Sequence, residues 1–117
     1  MAMTVSTQSH HDYTFADYLA LECDSDIKHE FDAGEILAMS GGTARHSALA
    51  VKVATALETT RPPGCTVFQS DMRVRIAATG RATYPDASMV CGPLEYDSED
   101  AAQTTITNRY SSSKSFP

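Results

Sequence analysis

A chain of 117 residues has room for about one domain with a modest core, and 42% hydrophobic with 21% charged residues is the balance of an ordinary soluble globular protein. No run approaches the ~18 consecutive apolar residues of a membrane span, and the opening "MAMTVSTQSHHDYTF" lacks the basic-then-apolar pattern of a secretory leader, so a cytoplasmic location is expected. A formal charge of -6 argues against nucleic-acid binding by bulk attraction and leaves any DNA contact to a local basic patch.

In chain order, residues 1–12 read as a flexible N-terminus. In "YTFADYLALECD" the Thr14 hydroxyl is placed to cap a short helix, Asp17 answers it in a capping box, and Phe15, Tyr18 and Leu19 share one face. In "KHEFDAGEILAMSGG" two strand-like runs meet at Asp32-Ala33-Gly34, where Gly34 supplies the positive φ of a tight hairpin. The segment "ARHSALAVKVATALETTR" predicts a helix over Ala44 to Thr60, with Leu49, Ala50, Val53, Ala54 and Leu57 at helical spacing and Pro62-Pro63-Gly64 stopping it. "CTVFQSDMRVRI" alternates as one strand, with Phe68, Met72, Val74 and Ile76 toward a core and Asp71, Arg73 and Arg75 on a polar face. The turn "AATGR" leads back along "TYPDASMV" in a long hairpin, followed by the acidic loop "GPLEYDSEDAAQ". Helix, hairpin, helix, hairpin is the order of an α+β domain whose mixed sheet is covered by helices.

Cys23, Cys65 and Cys91 are odd in number and lack C-x-x-C spacing, so neither a disulfide framework nor a zinc site is expected and all three read as small buried hydrophobes. Asp86 follows Pro85, which has no N–H and so favours a strand edge or bulge. The carboxylate either pairs with Arg73 or Arg75 across the hairpin or belongs to a site. Glu30 and Glu35 flank the first turn, either as solvated charges or as a second carboxylate completing, with Asp86, a hard oxygen site for magnesium. His46 opens the second helix, as a partly buried histidine or as a group meeting phosphate or water there. Arg73, Arg75 and Arg81 form the candidate patch for a DNA backbone, against ordinary hairpin solubility.

The ordered set "TFADYLALE", "KHEFDAGEILAM", "RHSALA", "VFQSDMRVRI" and "TYPDASMVCGPLE" resembles the Uma family, members of the restriction-endonuclease-like PD-(D/E)XK superfamily, over about Tyr13 to Asn108. The resemblance implies a mixed sheet flanked by helices around a centre for metal-dependent hydrolysis of DNA phosphodiesters. Asp86 matches the "PD" aspartate that binds Mg2+, Glu35 the glutamate after the hairpin glycine, also toward the metal, and His46 the histidine opening the second helix. Competing readings are a non-catalytic nuclease relic or nucleic-acid-binding remnant, and an unrelated small-ligand binder using the hairpin cleft.

Family members continue after "TN" in a pattern like "NPVLIVEVLS", whereas this chain reads "NRYSSSKSFP". The departure removes the second acidic ligand and downstream positions for a catalytic lysine. One permitted codon set for 108–117, with a single base inserted after the Asn108 codon, translates as Asn-Pro-Val-Leu-Ile-Val-Glu-Val-Leu-Ser, so a frameshift is the expected origin. Residues 13–108 thus read as the N-terminal part of a nuclease domain incomplete at its C-terminus, and 109–117 as an aberrant, disordered tail. The strand edges left open favour association into homo-oligomers, and cleavage by this chain is expected to be weak or absent.

Overall fold

The computed structural model describes residues 11–107, so the expectations for residues 1–10 and for the tail from 108 onward lie outside the described residues. The element order is α1 (Phe15–Asp24), β1 (His29–Asp32), β2 (Glu35–Ala38), α2 (Ala44–Thr60), β3 (Cys65–Gln69), β4 (Arg73–Arg75), β5 (Ala82–Thr83), β6 (Ala87–Cys91) and β7 (Thr105–Ile106). Five strands form a mixed sheet in the order β2-β1-β5-β4-β7, antiparallel except for the parallel β4–β7 pair, and β3 and β6 form a separate antiparallel ribbon. The fold is α+β, as the pattern predicts.

The local signals account for the first half. Thr14 and Asp17 close the capping box of α1, and Phe15 and Tyr18 bury against Phe31 and Ala82, with Leu19 and Ile36 packed beside them. The hairpin turn places both Ala33 (φ 52°) and Gly34 (φ 84°) in the left-handed region that a two-residue turn between twisted strands requires. Helix α2 begins and ends where its spacing predicts. It contains no fully buried residue, and Leu49, expected on the core face, is 57% exposed. A second core joins Val74, Val90 and Ile106, with Phe68, Met72 and Leu94 around it.

Two expectations are corrected. The single alternating strand over 65–76 is broken in two at Ser70–Met72, where Gln69 folds its own side chain onto the Asp71 amide (2.7 Å) and its carbonyl accepts from Met72 N (3.2 Å). The break shifts the alternation, so Arg73 is buried at 8% exposure rather than solvated. The returning strand is broken at the same level, at Tyr84-Pro85-Asp86, and there the chain passes from the five-stranded sheet to the ribbon. The second correction concerns sulfur. Cys65 and Cys91 stand directly opposite one another in the β3–β6 register and form a disulfide, while Cys23 is an exposed free thiol rather than a buried hydrophobe. Pairing across strands depends on register, which sequence separation does not reveal.

Candidate functional site

Pro85 has no N–H to give a ladder, so the residues around it leave the sheet, and Asp86 projects from the bend just before β6. Opposite it is the first turn of α2. Thr43 is the N-cap, its hydroxyl accepting from His46 N at 3.0 Å, which fixes His46 on that turn. A Cβ on Gly42 would lie 3.0 Å from His46 Cδ2, so glycine leaves the space the ring occupies. His46 Nε2 stands 3.0 Å from Asp86 Oδ2, with the two side chains 52% and 58% exposed. Asp86 therefore pairs with neither Arg73 nor Arg75.

This pair stands where two adjoining cavities of about 810 and 570 Å³ share His46, Tyr84 and Asp86 in their walls. Lys28 lines the first, and Glu30 and Arg81 line the second. Lys28 Nζ lies 2.7 Å from Asp71 Oδ1, donates to the Ser70 carbonyl at 3.0 Å and sits 5.3 Å from the Tyr84 ring centroid. The Lys28 hydrogen bond, with a second from Gln69, holds the Asp71 carboxyl below its ordinary range. Glu30 accepts from Thr83 Oγ1 at 2.6 Å and from Arg81 Nη2 at 3.4 Å. The first-hairpin carboxylate that shares a wall with Asp86 is thus Glu30. Glu35 lines a different cavity, of about 520 Å³, where it accepts from His11 N at 2.7 Å.

Behind the cavities a buried polar chain holds Tyr84, and through it the bend. The Tyr84 hydroxyl donates to Glu22 Oε2 at 2.6 Å and accepts from Arg73 Nε at 3.1 Å. Glu22 also accepts from His29 N at 3.0 Å and faces His29 Nδ1 at 2.8 Å. Burial alone would raise the Glu22 carboxyl, but the Tyr84 hydroxyl and the His29 amide and ring outweigh it and bring it below its usual value. Burial and the Glu22 bond push the Tyr84 phenol up, with Arg73 opposing. Arg73 Nη1 donates to Thr104 and Thr105 hydroxyls at 2.9 Å each and lies 3.5 Å from Asp100 Oδ2. Arg75 pairs with Asp97 (3.1 Å) and Glu99 (3.0 Å) and stacks 3.8 Å over the Phe15 ring. Of the three arginines read from sequence as a backbone-binding patch, Arg73 is enclosed and Arg75 is committed to the acidic loop, so Arg81 is the one exposed in a cavity wall.

Local sequence carries no signal for Lys28, because its partner Ser70 lies 42 residues away. Among the described residues no group of three or more His, Cys, Asp or Glu side chains is placed to hold a metal ion, and no helix is long and apolar enough to cross a membrane. The donors present suit a magnesium-type ion as one carboxylate anchor, Asp86, with water and phosphate oxygens for the rest of its shell.

A family profile described as "putative restriction endonuclease", Uma2, matches residues 15–109. An uncharacterized protein of Synechocystis sp. is 35% identical over 80 residues, covering 68% of this chain and 42% of its own length. Another from the same organism is 31% identical over 96 residues, covering 81% of this chain and 53% of its own. The chain therefore spans about half the length of the curated relatives it matches. No solved structure is significantly similar to it. With the profile running from the first residue of α1 past β7, the chain belongs to the Uma2 family.

Proposed function

We propose that the cavity where Asp86 meets His46 binds a DNA phosphodiester and is the hydrolytic centre of a divalent-metal nuclease. The observation that carries this reading is the 3.0 Å His46–Asp86 pair in a wall shared with Tyr84, flanked by Lys28 on one side and Glu30 with Arg81 on the other. Lys28 and Arg81 supply cationic groups for an anionic backbone that the net charge of -6 would otherwise repel. Asp86 would hold Mg2+, with Glu30 rather than Glu35 as the neighbouring carboxylate. Bound there, the ion would lower the pKa of a water and neutralise charge on the phosphate oxygens. His46, its Nε2 3.0 Å from the Asp86 carboxylate, supplies an imidazole beside it that takes or gives a proton.

A second reading, a domain that binds nucleic acid without cleaving it, is favoured by the lack of a three-ligand cluster among the described residues. One assay separates the two. The 117-residue chain and a version extended from Asn108 along the family pattern are tested for plasmid nicking with magnesium or manganese. We expect little or no nicking by the short chain, and cleavage by the extended one that Asp86→Ala abolishes. Cleavage that survives Asp86→Ala overturns the site, and an extended chain that binds DNA without cutting it supports the second reading.

A further inference from the structure

We infer that Cys65 and Cys91 form a reversible dithiol–disulfide site, exchanging with small-molecule disulfides of the glutathione type, whose oxidation state sets how firmly Asp86 is held against His46. The β3–β6 ribbon has five residue pairs, with Cys65↔Cys91 at one end and Gln69↔Ala87 at the other. Asp86 follows immediately beyond the second end, about 17 Å along the strand from the cross-link. A two-stranded ribbon is marginal by itself. Val90 and Phe68 anchor its middle in the second core and α2 covers it without burying any of its own residues fully, while the cross-link ties the end where Cys65 and Cys91 pair. His46 projects from that same helix. Any loosening of the ribbon against α2 therefore acts on the gap between His46 and Asp86.

Two features make the bond exchangeable rather than permanent. It lies at the ribbon's end between the exposed glycines Gly64 and Gly92, where the Gly92 N–H donates to the Gly64 carbonyl at 3.0 Å, and Cys91 is only half-buried, so a thiolate has an approach. The same chain carries Cys23 as an exposed free thiol, which suits a compartment where thiols persist. In the oxidising direction the thiolate of one cysteine attacks glutathione disulfide and releases one glutathione thiolate. The other cysteine then attacks the mixed disulfide and releases the second. The two protein thiols are oxidised, one glutathione disulfide is reduced to two glutathiones, and the two thiol protons pass to the leaving thiolates.

The test follows thiol count, stability and the site together in the 117-residue protein. After incubation with glutathione disulfide and removal of mixed adducts at Cys23, alkylation should label one cysteine, Cys23. After incubation with reduced glutathione it should label three. On reduction Tm should fall by about 10 °C or more, given a cross-link with sequence separation 26. The His46 imidazole resonances should shift on reduction, and Cys65→Ser should give the reduced spectrum in either buffer. The oxidised and reduced wild-type proteins are the primary comparison, which does not depend on how well the variant folds. Three labelled cysteines after oxidation, a cross-link that reduced glutathione leaves intact, or reversible cross-linking without movement of the His46 resonances would each overturn the inference.

Discussion

His46 on the first turn of α2 and Asp86 on the bend before β6 meet at 3.0 Å, joining the helix to the strand ribbon across the mouth of two cavities. Both side chains are about half exposed, so water screens the pair and it contributes about 1 kcal/mol or less to stability. His46→Asn and Asp86→Asn should therefore unfold within a few degrees of the wild-type Tm. A large drop for either would mean that the pair holds the fold rather than forming a site.

Gly42 permits this meeting. An added methyl would lie 3.0 Å from the His46 ring, and the ring is the end of a flexible side chain that can move away. Gly42→Ala should leave Tm nearly unchanged while shifting the His46 resonances, whereas Gly41→Ala, whose Cβ meets nothing within 4 Å, should do neither. Equal spectra for the two variants would show that Gly42 does not shape the site.

How far the sequence discloses this molecule depends on the range of the interaction. The Thr14–Asp17 capping box, the Ala33-Gly34 turn and the bounds of α2 rest on neighbours within a few residues, and all three were legible. The burial of Arg73 was not. Its polar-face assignment extrapolated an alternation that Gln69 and Asp71 interrupt, and its partners Thr104 and Thr105 lie 31 and 32 residues away. Register likewise hid the Cys65–Cys91 bond. At the site, the Pro85-Asp86 bend was readable from proline's missing donor. That Glu30 lines a cavity with Asp86 while Glu35 lines another was not, since hairpin residues on either side of a turn differ only in which neighbour they face.

Gly34 offers a test of the turn itself. At φ +84° a side chain is strained, and a Cβ would lie 2.9 Å from the His11 carbonyl, which is backbone and cannot swing aside. Gly34→Ala should cost about 1–3 kcal/mol and lower Tm by several degrees in a thermal melt. An unchanged Tm would mean that the turn relaxes at no cost.

Binding to DNA should separate cavity cations from structural ones. Lys28→Ala and Arg81→Ala should each weaken binding of a short duplex and reduce its salt dependence, by about one unit of slope if a phosphate contact is lost. Asp71→Asn should strengthen binding, because Asp71 occupies Lys28 at 2.7 Å. Arg73→Met should instead lower stability, since it removes the donor that the Tyr84, Thr104 and Thr105 oxygens accept from and the charge facing Asp100, while leaving the salt slope of the folded fraction unchanged. The fluorescence anisotropy of a labelled duplex over a salt series checks all four variants, and a slope altered by Arg73→Met but not by Lys28→Ala would reverse the assignment.

Acid should unfold the protein through the buried chain behind Tyr84. Burial would raise the Asp100 carboxyl, but the Thr104 and Thr105 hydroxyls and the Thr104 and Ala102 amides outweigh it and hold it below the ordinary value, as the Tyr84 and His29 donors do for Glu22. A carboxyl with a depressed folded pKa stabilises fully above its unfolded value, about 3.9 for Asp and 4.3 for Glu, and that stabilisation is lost as pH falls through the folded pKa. Tm should accordingly be level with respect to these two groups down to about pH 5 and decline below about pH 4. Asp100→Asn removes one of the two titrations and the charge facing Arg73. Its Tm at pH 7 should be lower, yet it should fall less between pH 5 and pH 3 than the wild-type Tm does. If the variant and the wild type decline in parallel over that interval, Asp100 is not among the groups whose protonation unfolds the domain.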